Sequence, residues 1–243
     1  RNVAPARASS WHGTQIAGVI AAAQNGEGIT GIAPNAKIQP IRALSWRGGL
    51  LSDVAASIAW ASGGAIDGVP TNANPAKVIN MSFSVETTCP VALQDAINGA
   101  RERGSILVAA AGNASDDAAK YAPGNCNGVI TVGATNRDGT RASYSNYGSA
   151  VDLSAPGGES AAPVITTSNS GASAPTSAIT SPASGTSIAA AHVSAAAAIL
   201  ASRDNQITPD AAYRSLVGSR YTKKFANGAC DGNPDYTCGT GIL

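Results

Sequence analysis

The chain has 243 residues, of which 13% are charged, and a formal net charge of +1. That length suits one large domain over residues 1–243, and the balanced charge leaves no electrostatic footprint for nucleic acid or an anionic membrane. The longest apolar run, Ile188 to Ala201, is broken by His192 and Ser194 and falls short of the about 20 residues that span a bilayer.

The first residues, Arg1-Asn2-Val3, open no hydrophobic leader, so any signal peptide is expected to have been removed already. After His12, the residues Ile16, Val19, Ile20 and Ala23 recur at helical spacing and predict an amphipathic helix with His12 at its N-terminal end. Residues 36–43 then read as a strand. Val54, Ile58 and Ala61 repeat the helical pattern, with Ser52 as the expected N-cap. A strand is expected at 78–82. Leu93, Ile97 and Ala100 mark a helix opened by Pro90 and closed by Gly104.

Three more strands are expected at 106–110, 129–134 and 151–153. Runs such as Ile106-Leu107-Val108 lack strict alternation, which suits strands buried on both faces. Residues 159–184 are rich in Ser, Ala, Thr, Gly and Pro, and read as a flexible linker or, better, a long surface loop beside a functional site. An alanine-rich buried helix follows from about Ser187. Thr208-Pro209 and Gly218 punctuate the last helix. Alternating strands and helices predict a three-layer α/β fold with a mostly parallel central sheet and helices on both faces. In such sheets the functional groups collect beyond the carboxyl ends of the strands, here residues 83–89 and 111–117.

The four cysteines, Cys89, Cys126, Cys230 and Cys238, show no Cys-x-x-Cys spacing, and only His12 and His192 are available to join them on zinc. Disulfides and an oxidising compartment are the better reading. Of the three possible connectivities, Cys89 with Cys126 and Cys230 with Cys238 is favoured, because Asp231-Gly232-Asn233-Pro234 forms a turn between the last two.

The stretch "SGTSIAAAH" at 184–192 sets Ser187 at the start of the buried helix. A serine hydroxyl is a poor nucleophile until an imidazole takes its proton. His192 lies five residues along the same helix and turns away, so it reads as a packed or capping histidine. His12 is the candidate base. "LVAAAGNAS" at 107–115 delivers Asn113 to the end of a buried strand, where its side-chain N–H and the backbone N–H of Ser187 make a donor pair for an oxyanion.

Taken together, "HGTQIAGVIAA", "GIAPNAKI", "VINMSFS", "AAAGN", "GVITVGAT", "VDLSAPG", "GTSIAAAHVSA" and the closing "GTGIL" resemble the subtilisin-like serine proteases, in that family's order and over nearly the whole chain. The resemblance implies a secreted endopeptidase, extracellular or periplasmic, acting on protein or peptide substrates. Within it His12 is the general base, Ser187 the nucleophile and Asn113 the oxyanion-hole side chain. It also implies an S1 wall of Ser82, Phe83 and Ser84 facing Ala110, Ala111 and Gly112, with Phe83-Ser84 narrowing the pocket. Residues 45–50, "SWRGGL", resemble the edge segment that pairs with an extended substrate and bring in Arg47, Gly48 and Gly49, although an ordinary glycine-rich loop reads equally from composition.

The catalytic aspartate of this family precedes the histidine, yet the eleven residues before His12, "RNVAPARASSW", contain no acid. Two explanations stand. The aspartate belongs to a separate N-terminal fragment of the same precursor, or the protein is an inactive subtilisin-fold binding module. Chemistry of this kind requires no cofactor. Structural calcium is common in the family, but residues 24–28 and Asp116-Asp117 lack calcium-ligand spacing and read as solvated turns.

Overall fold

The computed structural model describes residues 8–45, 48–218, 222–225, 230 and 237–243. The first helix, α1 (His12–Ala21), buries Ile16, Val19 and Ile20, as the spacing predicts. The helix α2 (Leu51–Ala61) starts after Leu50, which occupies the N-cap without a side-chain bond. Ser52 therefore lies inside the helix instead of capping it. Helix α3 (Val91–Glu102) begins after Pro90. Its end is followed by Gly104 at φ 89°.

The central sheet contains β1 (Val78–Met81), β3 (Ile106–Ala110), β5 (Ile130–Thr135) and β6 (Leu153–Pro156), in the order β1-β3-β5-β6. All three pairings are parallel, with Val78 opposite Ile106, Val108 opposite Ile130 and Val132 opposite Leu153. The strand β3 explains the layering. Ile106, Val108 and Ala110 enter a core shared with Ala189, Val193, Ala212 and Leu216. Leu107 and Ala109 enter another with Val54, Ile58, Leu93 and Ile97. A strand buried on both faces has no polar side to show, hence its unbroken apolar run. The architecture is three-layer α/β.

Helix α4 (Thr186–Arg203) lies between the sheet and α1. Its Ala189, Ala190, Val193 and Ala197 face the sheet. Its Ile188, Ala191 and Ala195 join Ile16, Val19 and Ile20 of α1. The alanines allow close approach on both sides, and a helix that is apolar all round must be buried. The last helix, α5 (Pro209–Val217), is capped by Thr208, whose hydroxyl accepts from Ala211 N at 3.2 Å.

Two expectations from the sequence fail. Residues 36–43 form no strand, and Ile38 and Ile41 stay 44% and 38% exposed. Apolar residues alone do not make a strand, because a strand needs a neighbour to satisfy its amides. Here β1 is an edge of the sheet among the described residues. Residues 159–184 are not a structureless loop either. They contain an antiparallel hairpin, β7 (Val164–Asn169) with β8 (Ala178–Ala183), paired over six positions from Val164–Ala183 to Asn169–Ala178.

A short antiparallel pair, β2 (Val85–Glu86) with β4 (Tyr121–Ala122), is tied by the Cys89–Cys126 disulfide. The second bond is Cys230–Cys238, the pairing favoured from sequence, with Cα atoms 5.6 Å apart. The expected turn at 231–234 lies outside the described residues. The last residues extend the sheet beside β6, where Ser154 N donates to Gly241 O and Leu243 N to Ser154 O. Among the described residues no helix is long and apolar enough to cross a membrane.

Candidate active site

Because β1 and β3 are parallel neighbours, their carboxyl ends deliver Ser82–Ser84 and Ala111–Asn113 side by side. The first turn of α4 closes the third side. Gly185 occupies its N-cap at φ 146° and ψ 160°, a conformation open essentially to glycine alone. This backbone turns Ser187 into the second helical position, where the geometry of a helix offers its N–H no intrahelical acceptor.

Asn113 is oriented by Thr186. Its Oδ1 accepts from Thr186 N at 2.9 Å and from Thr186 Oγ1 at 2.8 Å. The Thr186 hydroxyl in turn accepts from Gly112 N at 3.2 Å. With the amide oxygen held from two sides, Nδ2 must face the other way. A Cβ placed on Gly185 would lie 3.5 Å from Asn113 Nδ2, 3.7 Å from Ser187 N and 3.8 Å from Asn113 Oδ1, so the Asn113 amide and the Ser187 N–H border the same space.

The hydroxyl of Ser187 donates to Ser82 O at 3.0 Å, and Ser82 Oγ returns a bond to Ser187 O at 2.8 Å. Asn80 Nδ2 holds Ser82 Oγ at 2.9 Å, and Ser194 Oγ holds Asn80 Oδ1 at 2.9 Å. The end of β1 is thus laced to the first turns of α4. A hydroxyl has one proton to give, so in this arrangement Ser187 does not donate to His12.

His12 opens α1, which packs on α4 through the shared Ile16–Ile188 cluster. The surrounding protein desolvates its imidazole and pushes the pKa below its ordinary value, although the residue as a whole is exposed. Burial is the cause, and no carboxylate among the described residues supports the charged form. His192 points elsewhere, its Nδ1 against Ile188 O at 2.9 Å. It is the packed histidine expected from its position.

Of the remaining predicted residues, Phe83 is partly buried and packs against the core that holds Val54, Ile58, Leu93 and Ile97. Ser84 faces inward, its Oγ 3.2 Å from where a Cβ on Gly112 would lie. Ala110 and Ala111 are buried. Gly48 and Gly49 line an open groove of about 500 Å³ with Arg42, Ser45, Leu50 and Asp53. Arg47 lies outside the described residues.

Asn146, absent from the sequence-based site, is buried and staples the loop that carries Asn113. Its Nδ2 donates to Ala111 O at 2.9 Å, and its Oδ1 accepts from Ala114 N and Asp116 N at 2.9 and 3.2 Å. An asparagine in "YSNYG" carries no local signal of this role. Thr186, inside the "GTS" motif, was closer to view.

Two of the acids considered for calcium, Asp116 and Asp117, are engaged within the chain. Asp116 pairs with Lys120 at 2.8 Å, and Asp117 caps Ala119 N at 2.9 Å. Among the described residues no group of three or more His, Cys, Asp or Glu side chains stands together. So engaged, Asp116 and Asp117 do not supply a calcium-ligand set.

A serine at a helix N-terminus, with two N–H donors bordering one space at the carboxyl end of a parallel sheet, is an arrangement of the serine-hydrolase class. The sequence matches the Subtilase family over residues 2–241. This chain belongs to that family. It is 44% identical over 240 residues to an extracellular protease of Xanthomonas campestris pv. campestris, covering 98% of the chain and 40% of that protein. It is 41% identical to an extracellular basic protease of Dichelobacter nodosus, covering 97% and 38%. The chain thus spans about two fifths of these relatives. Among solved structures, a protease from Pseudoalteromonas arctica superposes with a TM-score of 0.90 at 46% identity, covering 98% of this chain and 69% of that one. A cold-adapted subtilisin-like serine proteinase superposes with a TM-score of 0.72 at 30% identity, covering 96% and 74%.

Proposed function

We propose that the chain carries the nucleophile, base and oxyanion donors of a secreted serine endopeptidase. Ser187 attacks the scissile carbonyl, His12 takes its proton and passes it to the leaving amine, and Asn113 Nδ2 with Ser187 N holds the tetrahedral oxyanion. The observation that carries this reading is the pair of donors beside Gly185, fixed before substrate arrives by the Thr186 clamp on Asn113. Reaction requires Ser187 Oγ to leave Ser82 O and give its proton to His12 instead.

The orienting aspartate is supplied, in this reading, by a segment outside residues 1–243, on a separate N-terminal fragment of the precursor. The open edge of β1 among the described residues, and the exposed Ile38 and Ile41 of a segment that forms no strand, support an added strand there. An exposed parallel edge of this kind invites pairing. Secretion fits the two disulfides and the extracellular relatives. Ser84 opposite Gly112 favours small P1 side chains, and a P1-varied peptide library that returns Phe or Leu ahead of Ala refutes that preference.

A second reading, a catalytically silent binding module of the same fold, has its own support: Ser187 bonds a carbonyl, and no acid among the described residues meets His12. Intact-protein mass spectrometry with and without a fluorophosphonate probe separates the two. One adduct on Ser187 and a co-purifying N-terminal fragment support the protease. No adduct and no fragment support the binding module.

A further inference from the structure

The β7–β8 hairpin grips the N-terminal half of α1 through side chains that the mechanism above does not use. Thr167 Oγ1 donates to Thr14 O at 2.8 Å, and Thr166 Oγ1 donates to Gln15 O at 2.7 Å. A carbonyl has two lone pairs, so these hydroxyls add to the helix's own bonds without displacing them. From the opposite strand, Ser181 accepts from Gln15 Nε2 at 3.2 Å. Thr166 and Ser181 are direct cross-strand partners, so a single rung of the hairpin holds Gln15 by both its backbone and its side chain.

The grip continues on the other side of His12. The indole N–H of Trp11 donates to Gly171 O at 2.7 Å, at the hairpin tip. His12 therefore sits between two anchors, Trp11 and Thr14, both fastened to the same hairpin. One turn later Gly18 lies so close that a Cβ there would meet Thr167 Oγ1 at 2.0 Å. The seat is fitted to a helix without a side chain at that position.

The other end of the hairpin is continuous with the nucleophile. The strand β8 ends at Ala183, and Gly185, Thr186 and Ser187 follow directly. Gly157 O receives Gly185 N at 3.1 Å and fixes that junction to the end of β6. One six-rung hairpin thus spans from the helix that carries the candidate base to the turn that carries the candidate nucleophile.

We infer that the β7–β8 hairpin is a brace that sets the position of His12 relative to Ser187, with Thr166, Thr167 and Gln15 as positioning residues. The inference rests on the protease reading, because it assigns these residues a role in the geometry of that reaction. They touch neither substrate nor reacting atoms. Their effect is on the fraction of time that His12 stands where it can accept the Ser187 proton. A misplacement of 1 Å costs about 100-fold in rate, so partial loosening of one anchor is expected to cost about 10-fold.

The test is steady-state hydrolysis of a chromogenic peptide by the active preparation, with its companion fragment, comparing Thr167→Val, Thr167→Ser and Gln15→Leu. Valine keeps the shape of threonine and removes the hydroxyl. The expected result is kcat lowered about 10-fold in Thr167→Val and Gln15→Leu at nearly unchanged KM, with Thr167→Ser restoring it. A Thr167→Val protein that loses its melting transition leaves the decision to Gln15→Leu, whose Ser181 contact is on the partly exposed side. Unchanged kcat in the folded variants overturns the brace, as does a rise in KM alone. His12→Ala is run in parallel. A kcat undiminished in His12→Ala refutes His12 as the base and the protease reading with it, whatever the hairpin variants do.

Discussion

Replacing Asn146 by alanine tests whether the loop bearing Asn113 is held as the structure implies. The substitution removes three hydrogen bonds, to Ala111 O, Ala114 N and Asp116 N. Ala111 is 1% exposed, so its carbonyl is left without water or partner. That orphan costs about 1–3 kcal/mol, and each of the two more accessible amides about 0.5–1.5 kcal/mol. The sum is about 2–6 kcal/mol, which for a chain of this size lowers Tm by roughly 4–24 °C. Melting is followed by circular dichroism in a Ser187→Ala background, so that self-digestion does not contribute. In the active background the loosened Asn113 lowers kcat with little change in KM. A Tm drop under about 3 °C, within the error of this sum, refutes the view that Asn146 staples the loop.

Three other outcomes follow from the same structure. Asn113→Ala is expected to lower kcat by about 100- to 1,000-fold at similar KM, the magnitude known for the corresponding loss in subtilisin; wild-type kcat removes Asn113 from the oxyanion site. The residue after the nucleophile is Ile188, and the single methionine, Met81, is 3% exposed, so activity is expected to survive mild peroxide; rapid inactivation with Met81 unmodified by mass spectrometry contradicts this. Burial lowers the pKa of both His12 and His192, so the folded state prefers them neutral. Their contribution to stability is complete above the unfolded value near 6.5 and falls away as pH drops towards the lowered folded values. Tm should decline with acidification in that window, and less in His192→Gln; identical profiles count against it.

The helices and the innermost strand were legible because their signals are local. Ile16, Val19 and Ile20 repeat at helical spacing, and Ile106 to Ala110 is apolar throughout because it is covered on both faces. Residues 36–43 misled for the converse reason: a strand depends on its neighbour, and β1 presents an open edge on the described part of the sheet. The β7–β8 hairpin was hidden by composition. Its Ser, Thr and Ala residues suggest a loop, although Val164, Ile165, Thr166 and Thr167 form a β-branched run that favours a strand. Ser187, His12 and Asn113 stood out by residue type and motif. Asn146, Asn80 and Thr166 did not, since an amide or hydroxyl acquires meaning only when the fold sets a partner across from it.

The two halves of the site are built by different means, and that difference bears on what a missing aspartate would do. Ser187 and Asn113 are fixed through backbone turns and buried bonds that involve no charge: the Gly185 cap, the Thr186 clamp and the Ser82–Asn80–Ser194 chain. None of these depends on the open edge of β1 being filled. The helix that carries His12 is held by apolar packing on α4 and by the hairpin's hydrogen bonds, and desolvation lowers the imidazole pKa with no carboxylate among the described residues to orient it. An aspartate brought to it would raise the lowered pKa, since an opposite charge favours imidazolium, and would select the tautomer whose other nitrogen faces Ser187. On the protease reading, the oxyanion half is therefore ready in this chain, and the proton-transfer half is the part that a companion segment would complete.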